Sequence, residues 1–282
     1  MKTKVLKQLS FLIILLISGS TIAQDSLYTS SKKGKVFVSW GGNRDSYSKS
    51  DIRFQGNNYD FTIQDVTAKD KPKGWHLDYF NPTRMTIPQT NLKIGYFISN
   101  HYAISIGFDH MKYVMEENKV RTVNGKINLP AEEPGSVFNG TYKGETFVSE
   151  EFLKFEYTDG LNYVNTEFAR YDDISKLFGI TNTDKFQVNV TEGIGVGFLY
   201  PRTNSTLLLK ERNDAFSISG FGASLNLGLN VTFFKHFFIQ TDLKGGFIKM
   251  NNSKTTIVSS DKASHEFYFL QRIISIGGIF KL

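Results

Sequence analysis

The stretch Gly220 to Phe233 constrains this chain more than any other. Phe221, Ala223, Leu225, Leu227, Leu229, Val231 and Phe233 alternate with Gly222, Ser224, Asn226, Gly228, Asn230 and Thr232. Apolar side chains at every second position, with polar or small ones between, describe a strand with one greasy and one polar face. The pattern outruns the ~5–6 residues of a common globular strand. It covers the ~9–11 tilted residues that a strand needs to cross a bilayer. A membrane tolerates such strands only in a closed barrel, where every peptide group is paired.

The N-terminus agrees with export. Lys2, Lys4 and Lys7 precede the apolar run Phe11 to Ile17, and Thr21-Ile22-Ala23 offers small residues at a cleavage site. Residues 1–23 are therefore expected to be a cleaved signal peptide, with a mature chain from Gln24 and a short periplasmic segment over 24–33. Seven apolar residues are too few to span as a helix. The chain has no cysteine, so a lipid-anchored N-terminus, a disulfide framework, a thiol nucleophile and a thiolate metal site are not expected.

No later run reaches the ~18 apolar residues of a transmembrane helix. A hydrophobic fraction of 40% and a mean hydropathy of −0.25 look like a soluble protein, yet they also fit a barrel whose polar lumen and loops dilute its lipid face. The 25 Phe and 13 Tyr supply the aromatics that such barrels place at both interfaces. The formal charge is +6. Losing the three lysines of the signal brings it to +3, too little and too scattered for a nucleic-acid partner.

Eight strands are legible: Lys35 to Asn43, Thr90 to Ile98, Tyr102 to Val114, Gly160 to Tyr171, Phe186 to Tyr200, Gly220 to Phe233, Phe237 to Lys249 and Phe267 to Leu282. In the fourth, adjacent Tyr163 and Val164 suggest a bulge. Asp51 to Asp65 and Thr146 to Glu156 could add two strands, giving ten, or extend hairpins beyond the membrane. Short connections (Ser99-Asn100-His101, Phe234-Lys235-His236, and the moderate Asp172 to Lys185) alternate with four longer ones. Short periplasmic turns and long outer loops are the pattern of an up-and-down barrel with both termini in the periplasm. The two shortest turns carry aromatics on both sides of a polar tip, as a periplasmic girdle would.

The chain ends Ile274-Ser275-Ile276-Gly277-Gly278-Ile279-Phe280-Lys281-Leu282. This amphipathic, aromatic-rich end resembles the terminal assembly signal of outer-membrane barrels, and no peptidoglycan-binding domain is expected after it. In topology and termini the chain resembles the small eight-stranded barrels of the outer-membrane protein A and X type. The resemblance implies a closed, antiparallel, all-β transmembrane barrel in a bacterial outer membrane. It also implies outer-membrane lipid and lipopolysaccharide as surroundings, and the barrel-assembly machinery as a partner through the last strand.

Chemistry is sparser. His101 and His236 fall in predicted turns, and His76 and His265 in long outer loops. His110 lies near the outer end of the third strand and, by parity with Phe108, faces outward at headgroup level. There it is either an interfacial histidine or a general base. Glu192 in the fifth strand faces lipid by parity, so either a bulge over Thr191 to Gly193 turns it inward or it pairs. Asp159 opens the fourth strand. Lys112 and Arg202 could hold a phosphate. The patches around His110 and Lys112, Asp159 to Asn162, and Gly195 to Thr203 resemble barrels related to lipid A-modifying enzymes. Lys112, however, stands where the deacylase pattern has a serine two positions after the histidine. Lys93, Asp109, Asp242 and Lys244 point inward and are expected to pair. Gly193, Gly195 and Gly197 read as packing space rather than a nucleotide fingerprint. No metal spacing and no cofactor motif appears.

Three function classes follow. The leading one is a structural, adhesive or surface-binding barrel acting through the loops Arg44 to Gln89 and Met115 to Asp159, with Trp75, Tyr79, Phe80, Phe138 and Tyr142 among their residues; its extracellular partner is unspecified. The alternative is a lipid A- or phospholipid-modifying enzyme using His110 with Asp159 or Glu192. The third is a small gated pore. An eight-stranded lumen is just wide enough for side chains to fill, which disfavours the pore.

Overall fold

The alternation along Gly220–Phe233 is realised residue by residue. Its even-numbered side chains turn into a lumen and its odd-numbered ones face out. The computed structural model describes residues 29–72, 74 and 89–281, apart from the side chain of Asp159. The signal segment, Gln24, Trp75, His76, Tyr79 and Phe80 lie outside the described residues.

In chain order the strands are β1 (Lys35–Tyr47), β2 (Ser50–Gly56), β3 (Tyr59–Val66), β4 (Ala68–Lys69), β5 (Thr90–Phe97), β6 (Tyr102–Met115) and β7 (Lys119–Ile127). They continue with β8 (Gly140–Val148), β9 (Leu153–Asp173), β10 (Phe186–Leu199), β11 (Asn204–Leu207), β12 (Gly220–Phe233), β13 (Phe237–Lys254) and β14 (Lys262–Lys281). Eight of them, β1, β5, β6, β9, β10, β12, β13 and β14, are antiparallel neighbours in that order. The ring closes because β14 also pairs β1, from Lys35 opposite Lys281 to Tyr47 opposite Phe269. Closure removes the sheet edge, which would be costly in hydrocarbon.

The two additional segments add no strand to the ring. Asp51 to Asp65 becomes the β2–β3 hairpin, and Thr146 to Glu156 is divided between β8 and the start of β9. Beyond the barrel the sheet runs on as β14–β2–β3–β7–β8, a crown built from the long outer connections. The bulge in the fourth ring strand is not at Tyr163-Val164, where pairing is regular with Tyr163 inward and Val164 outward. The register shifts instead between Met111 and Tyr113 of β6, opposite Leu161 and Tyr157, next to Gly160 with its φ of 127°.

Wall and crown have opposite polarity. Around the barrel the exposed residues are apolar: Ile106, Leu225 and Ile274 are each about two-thirds exposed. Such a belt on a closed β-cylinder is built to face lipid. Aromatics mark its ends, with Tyr102 stacked on Phe168 and Phe186 against Phe233 at the turn side, and Phe247 against Tyr268 at the crown side. In the crown the apolar residues turn inward instead. Ile52, Phe54, Phe61 and Ile63 of β2 and β3 pack with Tyr113, Phe155, Tyr157 and Phe267 of the ring in one buried cluster. This core fills the outer end of the lumen.

The lumen therefore has three layers. A small aromatic cluster, Phe37, Phe97, Tyr171 and Phe238 with Ala103, Ala169 and Ile279, closes the periplasmic end. A polar and charged layer occupies the middle, and the crown core closes the top. Lys32 adds to the lower closure: its ammonium donates to Asn189 Oδ1 at 2.7 Å and lies 5.3 Å from the Tyr171 ring.

Candidate functional site

The inward charges expected from parity do meet. Lys244 Nζ lies 2.6 Å from Asp109 Oδ2 and 3.7 Å from Glu167 Oε2, and Lys93 Nζ is 2.7 Å from Glu167 Oε1. Asp109 also accepts from Asn91 and Asn165, and Gln240 donates to both oxygens of Asp242. Glu167 is the member that sequence reasoning missed. It takes its lumen place by parity with Tyr163 and Asn165, a signal obscured by the expected bulge. Paired in this way, Lys93, Asp109, Glu167 and Lys244 brace the wall, since each would be costly alone in a buried layer; Asp242 is held by the Gln240 amide instead.

Among the outer-rim candidates, Glu192 is the one set apart. His110 keeps its outward parity but is fully buried, not exposed to headgroups. Its Nδ1 bonds Asn162 Oδ1 at 2.7 Å, an amide rather than a carboxylate, and Asn162 Nδ2 in turn donates to the Tyr200 carbonyl. Glu192 remains on the lipid-facing wall, for β10 pairs β12 without any bulge. It stands opposite Arg170 in the strand register, but that guanidinium is held by Asp172 at 2.9 Å, so Glu192 has a cation across the strand pair without a direct ion pair to it. Because His110 is opposite Asn162 and Glu192 opposite Arg170, the two candidates stand about eight residues apart along β9. At about 3.3 Å per residue that is roughly 26 Å. Arg202 is engaged by Asp214 and lies against the Phe216 ring, and the Lys112 carbonyl accepts from Tyr47. Arg202 N donates to the Gly160 carbonyl and Tyr200 N to the Asn162 carbonyl, so the segments of His110, Gly160 to Asn162 and Arg202 adjoin, while Glu192 stands apart from them.

His265 is not solvated. It lies inside the crown core, with Nε2 3.1 Å from Tyr157 Oη and Nδ1 3.4 Å from Ser50 Oγ. Tyr157 Oη also meets Ser253 Oγ, and Ser50 Oγ meets Tyr113 Oη. Burial pushes the imidazole down to about 3, keeping it neutral. A Ser–His–Tyr set sealed from solvent is a clasp between crown and barrel. The turn histidines share a different motif. The carbonyls of His101 and His236 accept from Tyr171 and Ile279, and each ring Nδ1 points back at the carbonyl of that same residue.

The crown's outer tip is the remaining site. Three loops converge there: the 3-10 turn Pro134–Phe138, the hairpin after β11, and the connection between β13 and β14. They enclose a notch of about 310 Å³. Lys210 joins the loops, 3.4 Å from Glu133 and 3.4 Å from Asp261, above the Tyr59 ring. Gly135 is required at this junction, since a side chain there would run into the Leu208 carbonyl.

No family model and no curated protein matches the chain. Among solved structures, the outer membrane protein OprG from Pseudomonas aeruginosa is similar over 90% of this chain and 100% of its own, at 11% identity and a TM-score of 0.41. Ail of Yersinia pestis aligns over 88% and 99% at 10% identity and a TM-score of 0.29. Neisserial surface protein A aligns over 88% and 97% at 8% identity and a TM-score of 0.30. At such values the likeness extends to architecture alone.

Proposed function

We propose that this chain is an outer-membrane anchor: a barrel with a closed lumen that holds a packed extracellular crown for binding a surface partner. The observation carrying this reading is the continuous apolar core shared by crown and barrel top. It blocks passage through the lumen and packs the described parts of the outer connections onto the barrel as one body. Rigid, ordered surfaces suit recognition because little entropy is lost on binding.

Contact with outer-membrane lipid is supported by the wall. Arg44 and Arg272 are cross-strand neighbours on the outward face. Like charges placed opposite one another favour a bound anion such as a lipid phosphate. The amphipathic end of β14, with Ile274, Ile276 and Phe280 outward, suits recognition by the barrel-assembly machinery. For the enzymatic alternative, the pairing of His110 with Glu192 gains no support, since the two stand far apart along β9.

Membrane vesicles bearing the protein should be captured on an array of extracellular polypeptides. Vesicles bearing a variant with the β2–β3 and β7–β8 hairpins replaced by short turns should not be. Equal capture of both would overturn the reading.

A further inference from the structure

The notch at the crown tip is walled by a turn of unfavourable sequence. Leu208 and Leu209 both have left-handed backbones, with φ of 51° and 58°. Lys210 N donates to the Leu207 carbonyl at 3.0 Å, so the two leucines are the centre of a two-residue hairpin turn. Such turns need positive φ at both positions and normally carry Asn-Gly. Leu208 is compensated by complete burial in the crown core. Leu209 is not: it is 42% exposed on the notch wall, facing a loop whose Ile257 and Val258 are 64% and 41% exposed. The same left-handed pair occurs at Phe234-Lys235 (φ 51° and 66°), where exposed Phe234 lies at the periplasmic end of the lipid belt. There lipid can cover the apolar side chain; at the outer tip nothing among the described residues does. Strain that holds an apolar group in the open points to a ligand for that group.

Charge narrows the ligand. The lining holds two carboxylates, Glu133 and Glu211, against one ammonium, Lys210. That ammonium is already shared between Glu133 and buried Asp261. Glu211 stands exposed at the rim, leaving the notch apolar within and electronegative at its edge.

We propose that the notch binds an extended polypeptide through one aliphatic side chain followed by a cationic one. The aliphatic group packs against Leu209, Ile257 and Val258, and the cation meets Glu211. The inference rests on the crown being a binding surface and specifies what it takes.

The test uses the full chain in detergent micelles with labelled Ile, Leu and Val methyl groups, titrated with acetyl-Leu-Arg-amide and acetyl-Leu-Glu-amide. The Leu209, Ile257 and Val258 signals should shift with the arginine peptide. It should bind about threefold to fivefold more tightly than the glutamate peptide, the scale of one exposed ion pair. Glu211→Gln should erase that preference. Leu209→Gly should abolish binding while raising the thermal midpoint, because glycine accepts positive φ without strain. No shift in the parent, no preference between peptides, or a Leu209→Gly variant that melts lower or still binds would overturn the proposal. Array capture that persists in Leu209→Gly but is lost with the crown hairpins would sink the notch alone. Capture that survives loss of the hairpins would sink the crown reading beneath it.

Discussion

At the scale of single residues, the molecule stakes most on Lys244. Its ammonium is buried between Asp109 and Glu167, and Glu167 has Lys93 as a second partner. Lys244→Met should strand carboxylate charge in the lumen and cost about 3–5 kcal/mol, read as a lower urea midpoint for unfolding from micelles. Residue-scale chemistry also predicts an acid response. His265 lies above the lipid belt, neutral in the crown core with its titration pushed down to about 3, against about 6.5 in an unfolded chain. Its contribution is complete above pH 6.5 and is lost as pH falls from there toward 3. Crown protection against protease should decline across that window, and His265→Gln should flatten the decline; an unchanged slope would show that other groups control it.

At the scale of elements, parity was the dependable guide wherever one face met lipid. It placed Lys93, Asp109, Asp242 and Lys244 inward from sequence alone. It failed where the strands leave the belt. His110 keeps its parity, yet it is buried, because beyond the bilayer the outward side of a strand can itself be covered. The Glu192–Arg170 register could be drawn only after the strand order was known. Arg170→Leu should destabilise the barrel by about 2 kcal/mol by removing the cation that faces Glu192 across the strand pair, and Arg170→Leu with Glu192→Leu should recover part of the loss in the same unfolding assay, the rest belonging to Asp172. Ile276 lies in the seam, opposite Trp40 of β1 and Ile239 of β13. Ile276→Pro removes a ladder donor at the point of closure, so the heat-modifiable folded band should vanish from gels of the membrane fraction.

At the scale of the whole molecule, barrel and crown are two solvents' worth of protein on one set of strands. The belt is greasy outside and polar within, and the crown is the reverse. Two apolar layers thus bracket the lumen charges. The parent should show no conductance steps in planar bilayers. Phe97→Ala with Phe238→Ala, which opens the lower layer, should still show none, because the crown core seals the upper end. Stable conductance in the double variant would refute the two-layer closure.

The sequence by itself determined the barrel: a two-residue period sustained over a bilayer's width, separated by short and long connections in turn, admits few other folds once peptide groups must be paired without water. Tertiary structure alone decided what the long connections become. Their apolar residues carry no environment label, so β2, β3, β7 and β8 could have lain on lipid, hung in water or formed a pore lining. Only the meeting of distant strands at the top of the lumen turns those side chains into a core, buries His265, and leaves Leu209 standing at the tip.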